Sequence, residues 1–243
     1  MAIRHTVRNV AHRFGFDIVR FPLHDPMART VQLLDHFNVS HVVDVGANDG
    51  GFGSGIRQLG FTGGITSFEP LPKPFAAIRR KAARDESWTA HQFAIGDTQR
   101  EVEINVSGNS GLSSSILPML STHREVAPQS HYVGSIRAKQ ERLDALLPKL
   151  GMTIDNGGLF LKIDVQGYEG AVLNGASGLF EVDAVIGLQL ELSLTPLYEG
   201  ALTYRQGLDR ADSLGFTLMG LDPVMSDPSS GRLLQVDAIF FRT

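Results

Sequence analysis

One short segment constrains the fold more than any other part of the chain. The run His41–Val45, rich in β-branched residues, leads into Gly46, and Asn48, Gly50 and Gly51 follow closely. Glycine adopts the unusual dihedrals of a tight turn and lets a ligand approach the main chain. A strand, a glycine turn and a helix in succession are typical of a nucleotide-binding α/β sheet, in which ligands bind at the carboxyl ends of the strands. The segment therefore predicts a parallel sheet with a ligand cleft above this strand.

The same alternation of strand and helix continues along the chain. Further strands are predicted at 65–69, 88–95, 101–106, 132–136, 159–164, 184–192, 216–221 and 234–241, and helices at 51–59, 72–84, 140–147, 168–174 and 204–214. Strands that alternate with helices build a mostly parallel sheet with helical crossovers. The last two strands lack a helix between them and predict a closing antiparallel pair. We therefore expect a doubly wound, Rossmann-like α/β fold.

A long irregular stretch interrupts this alternation. Residues 107–115 are rich in glycine and serine, and the stretch stays irregular as far as Tyr132. Loops longer than about 12–15 residues in compact domains are commonly lids or binding loops. We interpret this stretch as a lid over the substrate.

The composition excludes several classes of protein. A length of 243 residues suits one catalytic domain, and a net charge of −4 provides no basic excess for a nucleic acid. The chain has no cysteine, which excludes disulfides, thiolate metal ligands and cysteine nucleophiles. It contains no run of about 18 apolar residues and no apolar signal-peptide core, so we expect a cytoplasmic protein.

Residues 1–38 are predicted to form an appendage to a domain at 39–243. Basic and apolar side chains alternate at helical spacing in residues 1–20: Arg4, His5, Arg8, His12, Arg13 and Arg20 among Ile3, Val7, Val10, Ala11 and Phe14. We expect a helix docked on the domain with a solvated basic face. The alternative is a peripheral contact with anionic lipid at the inner face of the membrane.

Acidic residues end the first two strands. Glu69 follows Asp44 by 25 positions, the spacing at which a carboxylate accepts both hydroxyls of an adenosine ribose. The glycine turn lacks the spacings G-x-G-x-x-G and G-x-x-x-x-G-K-[ST], which disfavours NAD and nucleoside triphosphates. The alternatives are a turn-bracing carboxylate at Asp44 and a surface carboxylate before a proline turn at Glu69.

Several motifs of the sequence occur in the order typical of one family. These are VVDVGANDGGF, TSFEPLPKPF, FAIGD, LKIDVQGYE and LQLEL. Over residues 40–192 the sequence resembles the FkbM family of methyltransferases, which implies a class I methyltransferase fold with S-adenosylmethionine as methyl donor. The resemblance implies cofactor contacts by Asp44, Gly46 and Asn48 at the methionine end, Glu69 at the ribose and Asp97 at the adenine amine.

The acceptor side is expected near Asp164, which ends a buried strand. Methyl transfer requires an aligned acceptor oxygen, exclusion of water and a group that takes the proton. Asp164 is a candidate base, with helix capping as the alternative, and His123 and His131 at the end of the lid are further candidates. Glu169, which closely follows Asp164, and Glu191 are predicted to bind the acceptor. Glu191 ends an apolar strand, where a carboxylate needs a partner or a role, with a strand-end carboxylate that reaches solvent or an arginine as the alternative.

The predicted function is methylation of a hydroxyl of a sugar, namely a deoxysugar such as rhamnose or fucose in a glycolipid or secondary metabolite. Asp164, Glu169 and Glu191 have oxygen ligands suited to a divalent metal. Their spacing does not establish that they face one point, so no metal site is predicted. The alternatives are a nicotinamide-dependent sugar oxidoreductase or epimerase and a non-catalytic nucleotide-binding protein. The sequence predicts no oligomeric state.

Overall fold

The computed structural model describes residues 10, 13, 14, 25–152 and 158–243. The predicted amphipathic helix at 1–20 lies outside these residues, apart from Val10, Arg13 and Phe14. Among the described helices, none is long and apolar enough to cross a membrane.

The helices in the described residues are mostly short. In chain order they are α1 Pro26–His36, α2 Gly51–Gln58, α3 Pro72–Ala82, α4 Ser121–Val126, α5 Leu143–Lys149, α6 Glu169–Gly175, α7 Ser177–Glu181 and α8 Tyr204–Ser213, with a 3-10 turn at Pro128–Ser130. The strands are β1 His41–Val45, β2 Gly64–Phe68, β3 Trp88–His91, β4 Ala94–Ile95, β5 Arg100–Ser107, β6 Tyr132–Glu141, β7 Leu159–Ile163, β8 Val185–Ser193, β9 Thr217–Ser226 and β10 Leu233–Phe241.

The described strands form two sheets. The larger has the order β3-β2-β1-β7-β8-β10-β9, and the smaller has the order β4-β6-β5. In the larger sheet β3, β2, β1, β7 and β8 pair in parallel, whereas β10 pairs antiparallel with both β8 and β9. The predicted fold class and the closing antiparallel pair are confirmed. Strand order reverses at β1, where a doubly wound sheet opens a crevice.

Alternate side chains of the parallel strands enter two different cores. Val43 and Leu161 belong to one cluster, and Val42 and Phe160 belong to the other. Because both faces are buried, strands such as β1 (HVVDV) and β7 (LFLKI) are mostly apolar along their length. The fully buried Leu34 of α1 joins the second cluster, so this described part of the predicted N-terminal appendage packs on the sheet.

Two predicted elements were wrong in detail. The predicted strand 88–95 divides into β3 and β4, which belong to different sheets. The predicted helix 140–147 begins at Leu143, because Gln140 continues β6 and pairs with Ala94 on one side and Arg100 on the other. Strand pairing on both sides therefore outweighs the local helical pattern at Gln140.

The stretch predicted as an irregular lid contains ordered, packed structure. It includes α4 and the 3-10 turn, and its serines Ser113, Ser115 and Ser130 are buried. The Nδ2 atom of Asn109 donates to Ser113 Oγ at 2.9 Å and to Ser130 Oγ at 3.0 Å. We call residues 107–118 the strap. Hydrogen bonds between small polar side chains compensate for its shortage of apolar residues.

Candidate active site

A cleft lies at the carboxyl ends of β1, β2 and β7, where the strand order reverses. Its walls combine strand ends, the strap and the turn after β7. The lining residues are Val45, Gly46, Asn48, Glu69, Pro70, Leu71, Phe93, Ala94, Ile95, Ile104, Gly111, Leu112, Ser114, Ser115, Ile116, Asp164, Val165, Gln166 and Tyr168. A mostly apolar wall with a few convergent polar groups is typical of a cofactor site.

The turn after β1 depends on Gly46. Its φ is +78°, and a Cβ atom there would lie 1.8 Å from the carbonyl oxygen of Asp164. Gly46 N and Ala47 N each donate to the carbonyl oxygen of Phe68 at 3.0 Å. Asn48, also with a positive φ of 48°, donates its backbone N–H to Glu69 Oε2 at 2.8 Å. The turn thus brings the ends of β1, β2 and β7 together.

Glu69 is a buried carboxylate in the cleft wall. Its Oε2 accepts from Asn48 N and its Oε1 accepts from Leu71 N, both at 2.8 Å. Burial raises its pKa to about 7, with smaller contributions from Asp44 and Asp164, although the two backbone N–H groups act against the rise. Each carboxylate oxygen can accept more than one hydrogen bond. Glu69 therefore retains acceptor capacity toward a ligand in the cleft.

Asp44 lies outside the set of residues that line the cleft. Its side chain has no exposed surface, and its Oδ1 is 3.2 Å from Lys162 Nζ. Burial raises the pKa of Asp44, whereas the charge of Lys162 opposes that rise. The predicted contact of Asp44 with the methionine end of the cofactor stays a prediction, and the contact in the structure is to Lys162.

Lys162 was missed as a site residue by sequence reasoning. Its Nζ is 3.5 Å from Asp164 Oδ2 as well as close to Asp44, and 5.4 Å from the centre of the Phe52 ring. Burial acts to lower the pKa of Lys162, but the charges of Asp44, Asp164 and Asp237 outweigh burial and raise it. The available signal was a lysine inside the otherwise apolar strand LFLKI.

Asp164 is brought into the cleft, as expected. Its side chain is 34% exposed, so a ligand can reach it, and its Oδ1 accepts from Gln166 Nε2 at 3.0 Å. The alternative role of helix cap does not fit, because the N-cap position of α6 is Tyr168. Asp164 therefore combines access from the cleft with a fixed orientation.

Glu169 and Glu191 are both buried beside Asp164. Glu169 Oε1 accepts from Val165 N at 3.2 Å and from Gly167 N at 3.0 Å, and burial raises its pKa to about 7. Glu191 Oε2 accepts from Gln166 Nε2 at 2.7 Å and from Gln235 Nε2 at 3.0 Å. Burial, followed by the charges of Asp164 and Glu169, raises the pKa of Glu191 well above its ordinary value. Their predicted contacts with the acceptor stay predictions.

The other candidate bases are not brought to the cleft. His123 is buried in α4, where its ring packs edge-on against Tyr198 with 5.2 Å between ring centres, and burial lowers its pKa. His131 is exposed, and its Nδ1 is 3.0 Å from the carbonyl oxygen of Pro128. Neither histidine lines the cleft. Of the three predicted bases, only Asp164 does.

Asp97 lies just beyond the cleft wall. The wall is formed by the preceding Phe93, Ala94 and Ile95. The carbonyl oxygen of Asp97 accepts from Arg142 Nη1 at 2.7 Å, and its Oδ1 accepts from Thr98 at 3.3 Å. Its contact with an adenine amine stays a prediction.

A metal site has no support in the described part of the chain, where no group of three His, Asp or Glu side chains is arranged to hold an ion. One oxygen of Glu169 accepts from the backbone N–H groups of Val165 and Gly167, and Glu191 accepts from two glutamine amides. The three carboxylates considered as metal ligands, Asp164, Glu169 and Glu191, therefore have other hydrogen-bond partners.

Comparison with known families agrees with this geometry. Residues 44–222 match the Methyltransferase FkbM domain family. The chain belongs to this family. The resemblance noted from the sequence is thereby confirmed, and so is S-adenosylmethionine as the cofactor of this FkbM methyltransferase.

Individual relatives are more distant. The chain is 28% identical over 175 residues to the 2-O-methyltransferase NoeI of Sinorhizobium fredii (strain NBRC 101917 / NGR234), with 69% of each protein covered. Superposition on methyltransferase FkbM from Methylobacillus flagellatus KT covers 83% of this chain and 44% of that one, with a TM-score of 0.46 and 14% identity. Superposition on TehB from Haemophilus influenzae covers 92% and 64%, with a TM-score of 0.50 and 6% identity. The chain thus spans less than two thirds of either solved structure, and the TehB likeness shows the fold alone.

The residues of the cleft fit S-adenosylmethionine. Glu69 has acceptor capacity for ribose hydroxyls, and the main chain of the Gly46 turn lines the same cleft. Apolar side chains that suit an adenine ring line the same wall, including Leu71, Phe93 and Ile95. The site of this FkbM methyltransferase therefore has the groups that the cofactor needs.

Proposed function

We propose that this FkbM methyltransferase is an O-methyltransferase that acts on a hydroxyl of a sugar, namely a deoxysugar such as rhamnose or fucose in a glycolipid or secondary metabolite. The observation that carries the proposal is Asp164, a reachable carboxylate in the wall that Glu69 also lines. The relative from Sinorhizobium fredii, whose name states a 2-O-methyltransferase, supports oxygen as the acceptor atom.

The chemistry assigned to the chain is a proton transfer at one oxygen. S-adenosylmethionine, when bound, supplies a methyl group on a positively charged sulfur. In our proposal Asp164 takes the proton of the acceptor hydroxyl while that oxygen gains the methyl group. Lys162 Nζ lies 3.5 Å from Asp164 Oδ2, and Gln166 holds the other carboxylate oxygen by a hydrogen bond.

The wall also supports exclusion of water from the reaction. Apolar side chains from three regions face the same cleft: Leu71, Phe93, Ile95, Ile104, Leu112 and Ile116. A water-poor site strengthens electrostatic interactions and prevents transfer to solvent. Part of this wall belongs to the strap, so we propose that the strap covers the donor as well as the acceptor.

The proposal is tested by methyl transfer to a panel of acceptors. Purified protein is incubated with methyl-labelled donor and with rhamnosides, fucosides, phenols and amines, and labelled products are identified by mass spectrometry. We expect an O-methylated sugar in the parent protein, with turnover lower by about 100-fold or more in Asp164→Asn. The matched control is Asp183→Asn, which removes an exposed carboxylate that pairs with Arg242. Methylation of amines alone, or full turnover in Asp164→Asn, would contradict the proposal.

The cellular setting of the acceptor is part of the proposal. The basic segment at 1–20 is compatible with an acceptor carried on an anionic membrane, reached from the cytoplasm. Sedimentation with phosphatidylglycerol vesicles, compared with neutral vesicles, tests this point. Equal binding to both kinds of vesicle would contradict a role of the basic segment in binding an anionic membrane.

A further inference from the structure

The side chain of Gln166 is hydrogen-bonded at both ends of its carboxamide. Its Nε2 donates to Asp164 Oδ1 at 3.0 Å and to Glu191 Oε2 at 2.7 Å. Its Oε1 accepts from the hydroxyl of Tyr198 at 2.7 Å. A carboxamide nitrogen has two hydrogens, so each carboxylate receives one. The amide orientation is therefore determined by its neighbours, with nitrogen toward two acceptors and oxygen toward a donor.

The backbone of Gln166 is also held in place. Its φ is +55°, in the left-handed region that residues other than glycine seldom adopt and that is enriched at functional sites. Its carbonyl oxygen accepts from Ser115 Oγ at 2.7 Å. The residues on either side, Val165 and Gly167, both donate to Glu169. The turn after β7 thus presents Gln166 in one conformation.

One of these contacts joins Gln166 to the strap directly, and a second does so through Tyr198. Ser115 belongs to the strap and lines the cleft. The buried Tyr198, which donates to Gln166, also lies with its hydroxyl 3.2 Å from the carbonyl oxygen of Ser113. Displacement of the strap would remove the Ser115 contact and disturb the Tyr198 contact, so the position of Gln166 depends on the seated strap.

We propose that Gln166 is a positioning residue that orients Asp164 toward the acceptor hydroxyl and makes this orientation depend on the seated strap. The inference rests on the proposed function, in which Asp164 takes the acceptor's proton. Gln166 acts through Asp164 and does not itself exchange a proton. Its replacement should therefore change turnover while the affinity for the donor stays the same.

The first test replaces Gln166 with an isosteric acid. In Gln166→Glu an oxygen replaces Nε2 and faces two carboxylates, so both hydrogen bonds are lost and like charges are brought together. We expect kcat to fall about 10- to 100-fold, with the Kd for S-adenosylhomocysteine within about twofold of the parent value. The loss should be larger at high pH, since a protonated glutamic acid still donates one hydrogen bond.

The matched control is Gln235→Glu. Gln235 donates to Glu191 but makes no side-chain hydrogen bond to Asp164 among the described contacts. We expect a smaller loss of kcat and no steeper fall at high pH. Equal kinetic defects in the two variants would assign the effect to Glu191 and overturn the positioning of Asp164.

The second test needs no acceptor. The side-chain amide of Gln166 is observed by ¹⁵N NMR in the full chain and assigned by its absence in Gln166→Glu. We expect its resonances to move in Asp164→Asn and in Tyr198→Phe. They should stay in place in Tyr204→Phe, which removes a hydroxyl that accepts from Arg205 Nε at 3.1 Å and lies outside the cleft wall.

The two failures are distinguishable. Resonances of Gln166 that stay unmoved in both Asp164→Asn and Tyr198→Phe would overturn the positioning inference, whatever the activity. Absence of methyl transfer from the parent protein to any hydroxyl would contradict the proposed function itself, and with it the catalytic part of this inference.

Discussion

Lys162 lies between two aspartates, and its surroundings explain why a charge is tolerated inside an apolar strand. Its Nζ is 3.2 Å from Asp44 Oδ1 and 3.5 Å from Asp164 Oδ2. A buried charge is costly unless it is paired, and removal of one partner leaves the other uncompensated. In this arrangement Asp44 compensates the charge of the lysine, which also contacts the carboxylate that faces the cleft.

The substitution Lys162→Met tests this arrangement. It leaves the fully buried Asp44 without its cation, so we expect the free energy of unfolding to fall by about 3–5 kcal/mol. Urea denaturation followed by circular dichroism measures the change. In an Asp44→Asn background the same substitution should lower the free energy of unfolding much less.

Lys81→Met is the control for the loss of a lysine charge. Lys81 pairs with Asp49 at 3.7 Å on the surface, where both side chains are more than one third exposed. Exposed pairs contribute about 0–1 kcal/mol. An equal loss of unfolding free energy in Lys81→Met and Lys162→Met would show that the buried pair has no special role.

Position along a strand was sufficient to place two carboxylates at the cleft. Glu69 and Asp164 end predicted strands and both line the cleft, and their roles there stay predictions. Gln166 and Tyr198 were not identified as partners, because their contact joins residues 32 positions apart and depends on the folded strap. His123 was chosen for the chemistry of its side chain, which carries no information about where the side chain points.

Among the elements, the turn between β1 and α2 has the strictest steric and backbone requirements. Gly46 has both a left-handed backbone and a neighbour that leaves no room for a side chain, since the carbonyl oxygen of Asp164 is 1.8 Å from a Cβ built there. Strain from φ alone costs about 1–2 kcal/mol per residue. The steric clash adds to that cost and displaces the end of β7.

A pair of glycine substitutions separates these two effects. Gly46→Ala should lower the free energy of unfolding by more than about 4 kcal/mol and abolish donor binding. Gly200→Ala has a similar φ of +74° but nothing within 4 Å of its Cβ, so we expect a cost of about 1–2 kcal/mol with donor binding retained. Thermal unfolding and calorimetric titration measure both quantities. Similar costs at the two positions would mean that the close approach to Asp164 is unimportant.

Strands β1 and β7 were predictable because each is a mostly apolar run that ends at a turn. The strap was not, because its structure depends on hydrogen bonds among Asn109, Ser113 and Ser130 rather than on apolar periodicity. The full length of β6 was also missed, since its last residues are fixed by strands on both sides. Local patterns do not contain such tertiary contacts.

Over the whole molecule, buried carboxyl groups concentrate near the carboxyl edge of the sheet. Burial raises the pKa of Glu69 and of Glu169 from 4.5 to about 7, and that of Asp237 from 3.8 to about 6. The folded state therefore binds more protons than the unfolded state between these values. By linkage, the stability that these groups contribute is present at low pH and is lost as pH rises toward 7.

The predicted consequence is a pH-dependent difference between the parent protein and Glu69→Gln. A rise of the pKa from 4.5 to about 7 corresponds to about 3 kcal/mol for Glu69. We expect the unfolding free energy of the parent to fall relative to that of the variant by up to this amount between about pH 5 and pH 7.5. Urea midpoints at several pH values measure the difference. A parent protein that gains stability relative to Glu69→Gln as pH rises would contradict the assigned direction.

We assign the binding of an S-adenosyl cofactor in the cleft to Glu69, and calorimetric titration of a Glu69 variant examines that assignment. The parent protein and Glu69→Ala are each titrated with S-adenosylmethionine, S-adenosylhomocysteine and NAD. We predict that both S-adenosyl ligands bind the parent, that Glu69→Ala weakens them about 100-fold, and that NAD does not bind. Binding of NAD alone would exclude an S-adenosyl site, and unchanged binding of the S-adenosyl ligands by Glu69→Ala would exclude Glu69 as their contact.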